Sequence, residues 1–286
     1  MSRLNLTLTH GRGLAMRLQL IGLTALLGFS AAALADDAPP YEGDPNWSMR
    51  ALLGYSKTGG NTDNSSANAL FHVAHVMGDW KLLFGTEGLY GSTHGETTAQ
   101  AFTVHGQANY NFTPKLYLYV GASYADDRFS GFAYQDAVTS GVGYQFFNSD
   151  STKLSVQGGV GYLWLRKEFL IKDDLGGVVQ RLDYDPTTGL PYDQEKSVAF
   201  NGAITFEHSF NQSTKILGGA TVLSSSDNTQ TTANIALQVK MSTHLALSAG
   251  YQLTDNSSPP AGSGRRDTLT TLSLVYDMKN PKLAPE

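Results

Sequence analysis

The stretch FTVHGQANYNF, residues 102–112, alternates between two kinds of side chain without interruption. One set is apolar or small (Phe102, Val104, Gly106, Ala108, Tyr110 and Phe112), and the other is polar (Thr103, His105, Gln107, Asn109 and Asn111). Because side chains on a β-strand point alternately to opposite faces, this segment is predicted to be a strand with one apolar and one polar face. The class of the protein depends on whether the apolar face meets a protein core or a lipid bilayer.

The same alternation recurs along the rest of the chain, separated by turn residues. The predicted strands are 47–57, 65–77, 80–91, 98–112, 115–125, 134–147, 153–166, 197–210, 214–224, 230–241, 244–254 and 267–278. No stretch after residue 35 has a sustained helical period, and residues 167–196 are predicted to be a long loop. The fold class indicated is all-β, a single antiparallel up-and-down transmembrane β-barrel of about twelve strands.

The connections between the predicted strands alternate between short and long. The short ones are Gly78-Asp79, FTPK, NSDST, NQST and MSTH, and the long ones include TGGNTD, STHGETT, DDRFSGFAYQ, SSSDNT and NSSPPAGSGRR. Tight turns at one end and long loops at the other are typical of outer-membrane barrels. The alternative is a soluble barrel or sandwich with its apolar faces inward, which the strand pattern alone does not exclude.

The N-terminus favours the membrane. Residues 1–35 end in an apolar run and the small-x-small site Ala33-Leu34-Ala35, which predicts a cleaved signal peptide. Translation starts at Met1 or at Met16. Residues 36–46 are expected to be a flexible periplasmic lead-in, 47–278 the barrel and 279–286 a C-terminal tail. An export signal followed by a predicted β-barrel indicates that the mature protein lies in the cell outer membrane of a Gram-negative-type envelope.

Composition narrows the possible functions. Charged residues make up 16 % of the chain, against roughly 25 % in a typical soluble domain. The absence of Cys excludes disulfides and thiol chemistry. The predicted signal peptide carries three arginines and no acid, so the mature chain would keep 17 basic and 25 acidic residues, a net charge of −8. Without a basic patch, no nucleic-acid partner is expected.

Two sets of candidate residues follow from the alternation. The polar side chains expected to face the lumen are Arg50, His72, Glu87, His105, Gln107, Asn109, Gln157 and Glu207. They would form an ion-selective constriction or a plug-like network, or simply fill a narrow interior with paired charges. The aromatic residues expected in a girdle at one bilayer boundary are Trp80, Tyr110, Phe112, Tyr117, Phe146 and Phe210.

A family resemblance rests on four segments. WSMRALLGYSKTGGNTD (47–63), MGDWKLLFGTEGLYG (77–91), GVGYQFF (141–147) and TLTTLSLVYDM (268–278) together resemble the domain-of-unknown-function 481 family, whose members are often labelled salt-induced outer membrane proteins. The resemblance implies an outer-membrane barrel of undetermined activity, linked to salt or envelope stress. Its expected partners are outer-membrane lipids, lipopolysaccharide and the barrel-assembly machinery. The chain departs from common outer-membrane barrels by continuing beyond Tyr276 of its last strand.

Several functions remain open at this point. A narrow passive, porin-like channel for small solutes is one alternative, and an outer-membrane lipid hydrolase using His105, Asn109 and Ser155 is another. No enzyme activity, catalytic residue, metal or cofactor is predicted, and any small-molecule ligand is unknown. The acidic loop residues Asp126, Asp127, Asp173, Asp174, Asp183 and Asp185 suit divalent cations or simply a solvated surface. The TGGNTD segment suits a ligand contact or a turn that its glycines permit.

Overall fold

The computed structural model describes residues 46–58, 64–172, 174, 178–192, 194–226, 228–242, 244–259 and 264–278. The predicted signal peptide, almost all of the lead-in, residues 59–63 of the TGGNTD turn, Asp173 and the C-terminal tail lie outside these residues. In the described part of the chain, no helix is long and apolar enough to cross a membrane.

Fourteen strands follow one another in the described residues. Their bounds are β1 Trp47–Thr58, β2 Asn64–Met77, β3 Trp80–Thr93, β4 Glu96–Asn111, β5 Leu116–Asp127, β6 Phe132–Asn148, β7 Thr152–Lys167, β8 Phe169–Lys172, β9 Val178–Leu182, β10 Gln194–Ser209, β11 Thr214–Ser225, β12 Thr229–Lys240, β13 Leu245–Asn256 and β14 Arg266–Met278.

Twelve of these strands, β1–β7 and β10–β14, close into one barrel. Each strand pairs antiparallel with its neighbour in the chain, and β1 pairs with β14, with Leu53 opposite Leu274. Since β7 pairs directly with β10, the up-and-down order is unbroken around the ring. The predicted fold class, a single antiparallel up-and-down barrel of about twelve strands, is therefore confirmed.

Residues 167–196, which the sequence predicts to be a long loop, include two further strands. They contain a separate two-stranded sheet, formed by β8 and β9, between barrel strands β7 and β10. The two strands have only 4 and 5 residues, and runs this short do not show an alternating pattern that identifies a strand. Leu170 and Leu182 are buried, whereas Ile171 and Val179 are exposed, so each short strand still has two different faces.

The two ends of the barrel differ less in loop length than predicted. We call the end with the β2–β3, β4–β5, β6–β7, β10–β11 and β12–β13 connections the turn end, and the opposite end the loop end. At the loop end, β3 and β4 are joined by His94 and Gly95 alone, with φ of 52° and 86°. Positive φ at both residues is the geometry of a type I′ hairpin turn. Part of the predicted STHGETT loop is therefore strand.

The two faces of the barrel wall are chemically opposite. On β4, Thr103, His105, Gln107 and Asn109 are buried inside the barrel, whereas Phe102, at 49 %, is exposed on the outside. Apolar residues outside and polar residues inside are the reverse of a soluble core. The apolar face of residues 102–112 is thus the outer face of a closed barrel.

Candidate functional site

The lumen, the space enclosed by the inward-facing side chains, is the candidate functional site. The strand registers place its residues: His72 on β2 lies opposite Gly85 on β3, and Gly85 lies opposite His105 on β4. Glu87 follows two residues after Gly85 and therefore points to the same side of β3. The pairing thus brings together His72, Glu87 and His105, three of the eight predicted lumen residues.

Gly85 provides the space that the two histidines occupy. A Cβ atom on this residue would lie 2.2 Å from His105 Nε2 and 2.6 Å from His72 Cδ2. The two imidazole rings meet edge to face with centroids 5.4 Å apart, and His72 Nε2 lies 3.4 Å from Glu87 Oε1. In the described part of the chain, no group of three or more His, Asp or Glu side chains is arranged to hold a metal ion. His72, Glu87 and His105 form a packed polar contact across three strands.

Charged side chains occupy the turn end of the lumen. Arg50 Nη2 on β1 donates a hydrogen bond of 2.7 Å to Gln238 Oε1 on β12, and β13 and β14 lie between these two strands in the barrel order. Glu207 on β10 lies 3.8 Å from Lys215 Nζ on β11. Both side chains are mostly buried, which agrees with the rule that buried charges are paired.

Hydrogen bonds between neutral side chains line the wall opposite β1. Gln107 Nε2 donates to Asn109 Oδ1 at 2.7 Å. The Tyr117 hydroxyl donates to Gln157 Oε1 at 3.2 Å, and Asn201 Nδ2 donates to the Tyr119 hydroxyl at 2.6 Å. All eight residues predicted to face the lumen lie on the inner face of the barrel, but only some of them contact one another.

The prediction that Tyr117 belongs to the boundary girdle is wrong. The Tyr117 side chain points into the lumen and is 2 % exposed, while Leu116 and Leu118 point outward. Its ring lies over Gly143, where a Cβ atom would be 2.0 Å from Tyr117 Cζ. Leu and Tyr alternate in this strand and both suit a membrane boundary, so composition alone does not show which set faces inward.

The other predicted girdle residues lie on the outer surface at the turn end. Trp80, Phe112, Phe146 and Phe210 are about half-exposed, and the rings of Trp80 and Tyr110 meet edge to face with centroids 5.1 Å apart. We call these five residues the turn-end girdle. The prediction missed a second set near the loop end, the loop-end girdle, formed by the exposed rings of Tyr55, Tyr90, Phe102, Tyr124 and Phe200.

The loop end of the lumen is partly covered. Arg181 on β9 lines a cavity together with Arg128 and residues of β1–β4, among them Asn68. Because the β8–β9 hairpin leaves the barrel between β7 and β10, its Arg181 must lie across the mouth to reach this wall. The Arg181 guanidinium donates two hydrogen bonds to Glu168, one of them 2.8 Å long from Nε. This ion pair connects β9 to the residue that precedes β8.

An apolar cluster fills the neighbouring part of the loop end. Its buried members, all on β5, β6, β7, β10 and β11, are Ala125, Phe132, Ala137, Leu163, Leu165, Ala199 and Leu223. Any passage at this end must therefore follow the wall formed by β1–β4.

The acidic residues near the loop end serve local structure. Asp127 is buried and accepts a hydrogen bond of 2.9 Å from the backbone of Phe129. Asp183 lies 3.9 Å from Arg166 Nη2. The backbone N–H of Thr187 donates to Asp185 at 2.8 Å and lowers the pKa of that exposed carboxyl group. These contacts stabilise turns and strand ends.

The residues suggested for lipid hydrolysis each have other contacts in the structure. The Ser155 hydroxyl lies 2.6 Å from Thr205 Oγ1, Asn109 accepts from Gln107, and the His105 ring packs against His72. A nucleophile–base pair requires the serine and the histidine within hydrogen-bond reach of each other.

Comparison with known proteins identifies relatives of this chain. The family model described as protein of unknown function, DUF481, matches residues 51–278, so the predicted resemblance is confirmed. The uncharacterized protein YdiY of Escherichia coli strain K12 is 27% identical over 243 residues, which are 84% of each chain.

Solved structures with similar folds are also found. The NanC porin has a TM-score of 0.46 and 11% identity, covering 81% of this chain and 100% of the porin. An outer membrane channel from Pseudomonas putida F1 has a TM-score of 0.47 and 10% identity, covering 82% of this chain and 97% of the channel.

Proposed function

The chain belongs to the DUF481 family of proteins of unknown function, and from this premise we propose that it is an outer-membrane β-barrel with a narrow polar passage for small solutes. The observation that carries the proposal is the chemistry of the wall, which is apolar outside and lined inside by polar side chains, except for the apolar cluster in one part of the loop end. Only closed barrels and helices satisfy every backbone hydrogen bond in hydrocarbon, and these strands form a closed barrel.

The two girdles support a membrane location. Trp80 and Tyr90 lie on the same strand, ten residues apart, and both are exposed on the outer face. At a rise of ~3.3 Å per residue and a tilt of ~40°, the two rings are about 25 Å apart along the barrel axis. This separation matches the height of the apolar band in outer-membrane barrels, which is about 25 Å.

A passage is supported by polar groups along the β1–β4 side of the lumen. The cavity beside Arg128 and Arg181 opens at the loop end. The His72–Glu87–His105 cluster follows below it, and the Arg50–Gln238 hydrogen bond lies nearer the turn end. Side chains of this size in a barrel of twelve strands leave room for ions and small solutes at most.

The partners proposed are those that the location requires. Lipids would contact the outer face, lipopolysaccharide would surround the loop end, and the assembly machinery would recognise the last strand, where Tyr276 is exposed on the outside. The link to salt or envelope stress stays a prediction. No enzymatic role is proposed, since the residues suggested for lipid hydrolysis pack against or bond other side chains.

The test is a pair of measurements on the mature protein. We expect it in the outer-membrane fraction, and the purified, detergent-folded protein should produce discrete conductance steps in planar lipid bilayers. A barrel unfolded by heat is the control and should pass no current. Folded protein that is consistently silent would contradict the passage while leaving the membrane location intact.

A barrel closed by its own side chains is the second candidate. The apolar cluster around Phe132, Leu163 and Leu165 favours it, because these side chains exclude water from one half of the loop end. In that case the protein would act through its surface loops and the β8–β9 hairpin, and the bilayer recordings would show no steps.

A further inference from the structure

Among the residues that the structure describes, basic side chains outnumber acidic ones at the turn end of the lumen. Lys81 begins the inward face of β3, on the same side as the buried Leu83. Lys153 on β7 shares its face with the buried Ser155 and Gln157. Together with Arg50 and Lys215, these residues place four cations on four strands of the ring, within a few residues of the turn-end connections.

The described acidic residues near the turn end of the lumen are fewer than the basic ones. Glu207 lies 3.8 Å from Lys215 Nζ and is directly opposite Lys153 in the β7–β10 register, so one acidic residue neighbours two lysines. Asp277 is paired with Arg50 along the backbone of β1 and β14. In the described part of the lumen at this end, the four basic residues outnumber these two acidic positions. Glu87 lies further toward the loop end, beside His72.

This local excess is opposite in sign to the whole chain, whose formal net charge is −5. Inside a barrel the low-dielectric wall focuses the field of lining charges, and rings of Lys or Arg are a known basis of anion preference in pores. An excess of cations on the outer surface would be screened by salt within ~10 Å, whereas a solute inside the lumen passes within contact distance of these groups.

We propose that the turn end of the lumen is an anion-selectivity site, formed by Arg50, Lys81, Lys153 and Lys215, and that the channel passes small anions in preference to cations. The inference rests on the proposed channel function and assigns its solute class. The ligand chemistry is a small, hydrated anion that exchanges some of its water for ammonium and guanidinium donors.

The experiment measures the reversal potential of the folded protein in a planar bilayer between unequal KCl solutions. We expect a potential of the sign that indicates chloride preference. In the double variant Lys81→Glu with Lys153→Glu, the potential should pass through zero to the sign that indicates potassium preference. Heat-modifiable migration on a gel checks that each variant has folded.

The matched control is Lys115→Glu, which makes the same charge change in the exposed β4–β5 connection at the same end of the barrel. It should leave the reversal potential unchanged. If the glutamate double variant does not fold, the double variant Lys81→Gln with Lys153→Gln replaces it. Its reversal potential should shift toward zero without changing sign.

The outcomes separate this inference from the channel proposal. Current without anion preference in the unmodified protein, or an unchanged potential in either lysine pair, overturns the selectivity site and leaves the channel standing. An equal shift in Lys115→Glu also overturns it, because the effect would then come from surface charge. Absence of any current overturns the channel and the selectivity site together.

Discussion

Gly85 carries no side chain, and the imidazoles of His72 and His105 lie where a side chain would project. Both rings are buried, and the backbone pairing of β2, β3 and β4 fixes their positions opposite this glycine. Imidazole rings held this closely have no room to move aside, because protein interiors are packed to nearly crystalline density.

The variant Gly85→Ala should therefore destabilise the barrel by about 1–3 kcal/mol, the usual cost of overpacking. Urea titration of the folded protein in lipid vesicles, followed by tryptophan fluorescence, measures the change. The control is Gly88→Ala on the same strand, since an added Cβ there meets no atom within 4 Å. Equal stability of the two variants would contradict the packing of the histidines around Gly85.

At the same scale, alternation predicted the side on which most lumen residues lie but not their partners. A period of two assigns Gln107, Asn109 and Gln157 to one face. It does not show that Gln107 bonds Asn109 on its own strand while Gln157 bonds Tyr117 from another strand, because those contacts depend on the register and curvature of the closed ring. Tyr117 was misplaced because Leu and Tyr differ too little in polarity to mark opposite faces.

The β8–β9 hairpin is the element that distinguishes this barrel from a plain meander. The barrel closes without the hairpin, because Arg166 on β7 pairs directly with Gln194 on β10. Arg181 of the hairpin reaches across the mouth to the cavity at β1–β4, and Glu168 anchors that arginine. The hairpin can therefore narrow the passage without contributing to closure of the barrel.

Replacing residues 168–192 by a short Gly-Ser linker should leave a folded barrel whose single-channel conductance is larger, because the mouth is no longer covered. Planar bilayer recordings measure it, and gel migration with and without heating monitors folding. The point variant Arg181→Gln, which removes the ion pair with Glu168, should give a smaller increase. Conductance that stays the same in the deletion variant would show that the hairpin lies outside the path of the solute.

The sequence predicted the existence of the barrel strands better than their ends. Apolar alternation stops where a strand leaves the apolar band, but the β3–β4 pair continues through polar residues to His94 and Gly95. Such extensions are held by backbone pairing, which leaves no hydrophobic pattern in the sequence. The loop-end girdle was missed because only the strand registers show that Tyr90 and Phe102 lie at a similar height along the barrel.

For the molecule as a whole, the exterior determines what kind of protein this is. Leu53, Val160, Ile235 and Leu272 are each at least half-exposed on the outer face of four different strands. An apolar surface that extends around a complete ring would cause a soluble protein to aggregate. In hydrocarbon the same surface needs no partner, and the polar groups that would be costly there are enclosed in the lumen.

Ile235 tests this arrangement, because it is 50 % exposed near the middle of β12, between the two girdles. In a bilayer, Ile235→Arg should cost about 2–4 kcal/mol, the cost of a basic side chain at the membrane midplane. The matched variant is Val179→Arg on β9, where the side chain is 64 % exposed but lies on the hairpin outside the barrel ring. In water such a surface change costs within about 0.5 kcal/mol. Urea unfolding of both variants in lipid vesicles measures the difference, and equal, small costs would mean that the outer face meets water and not lipid.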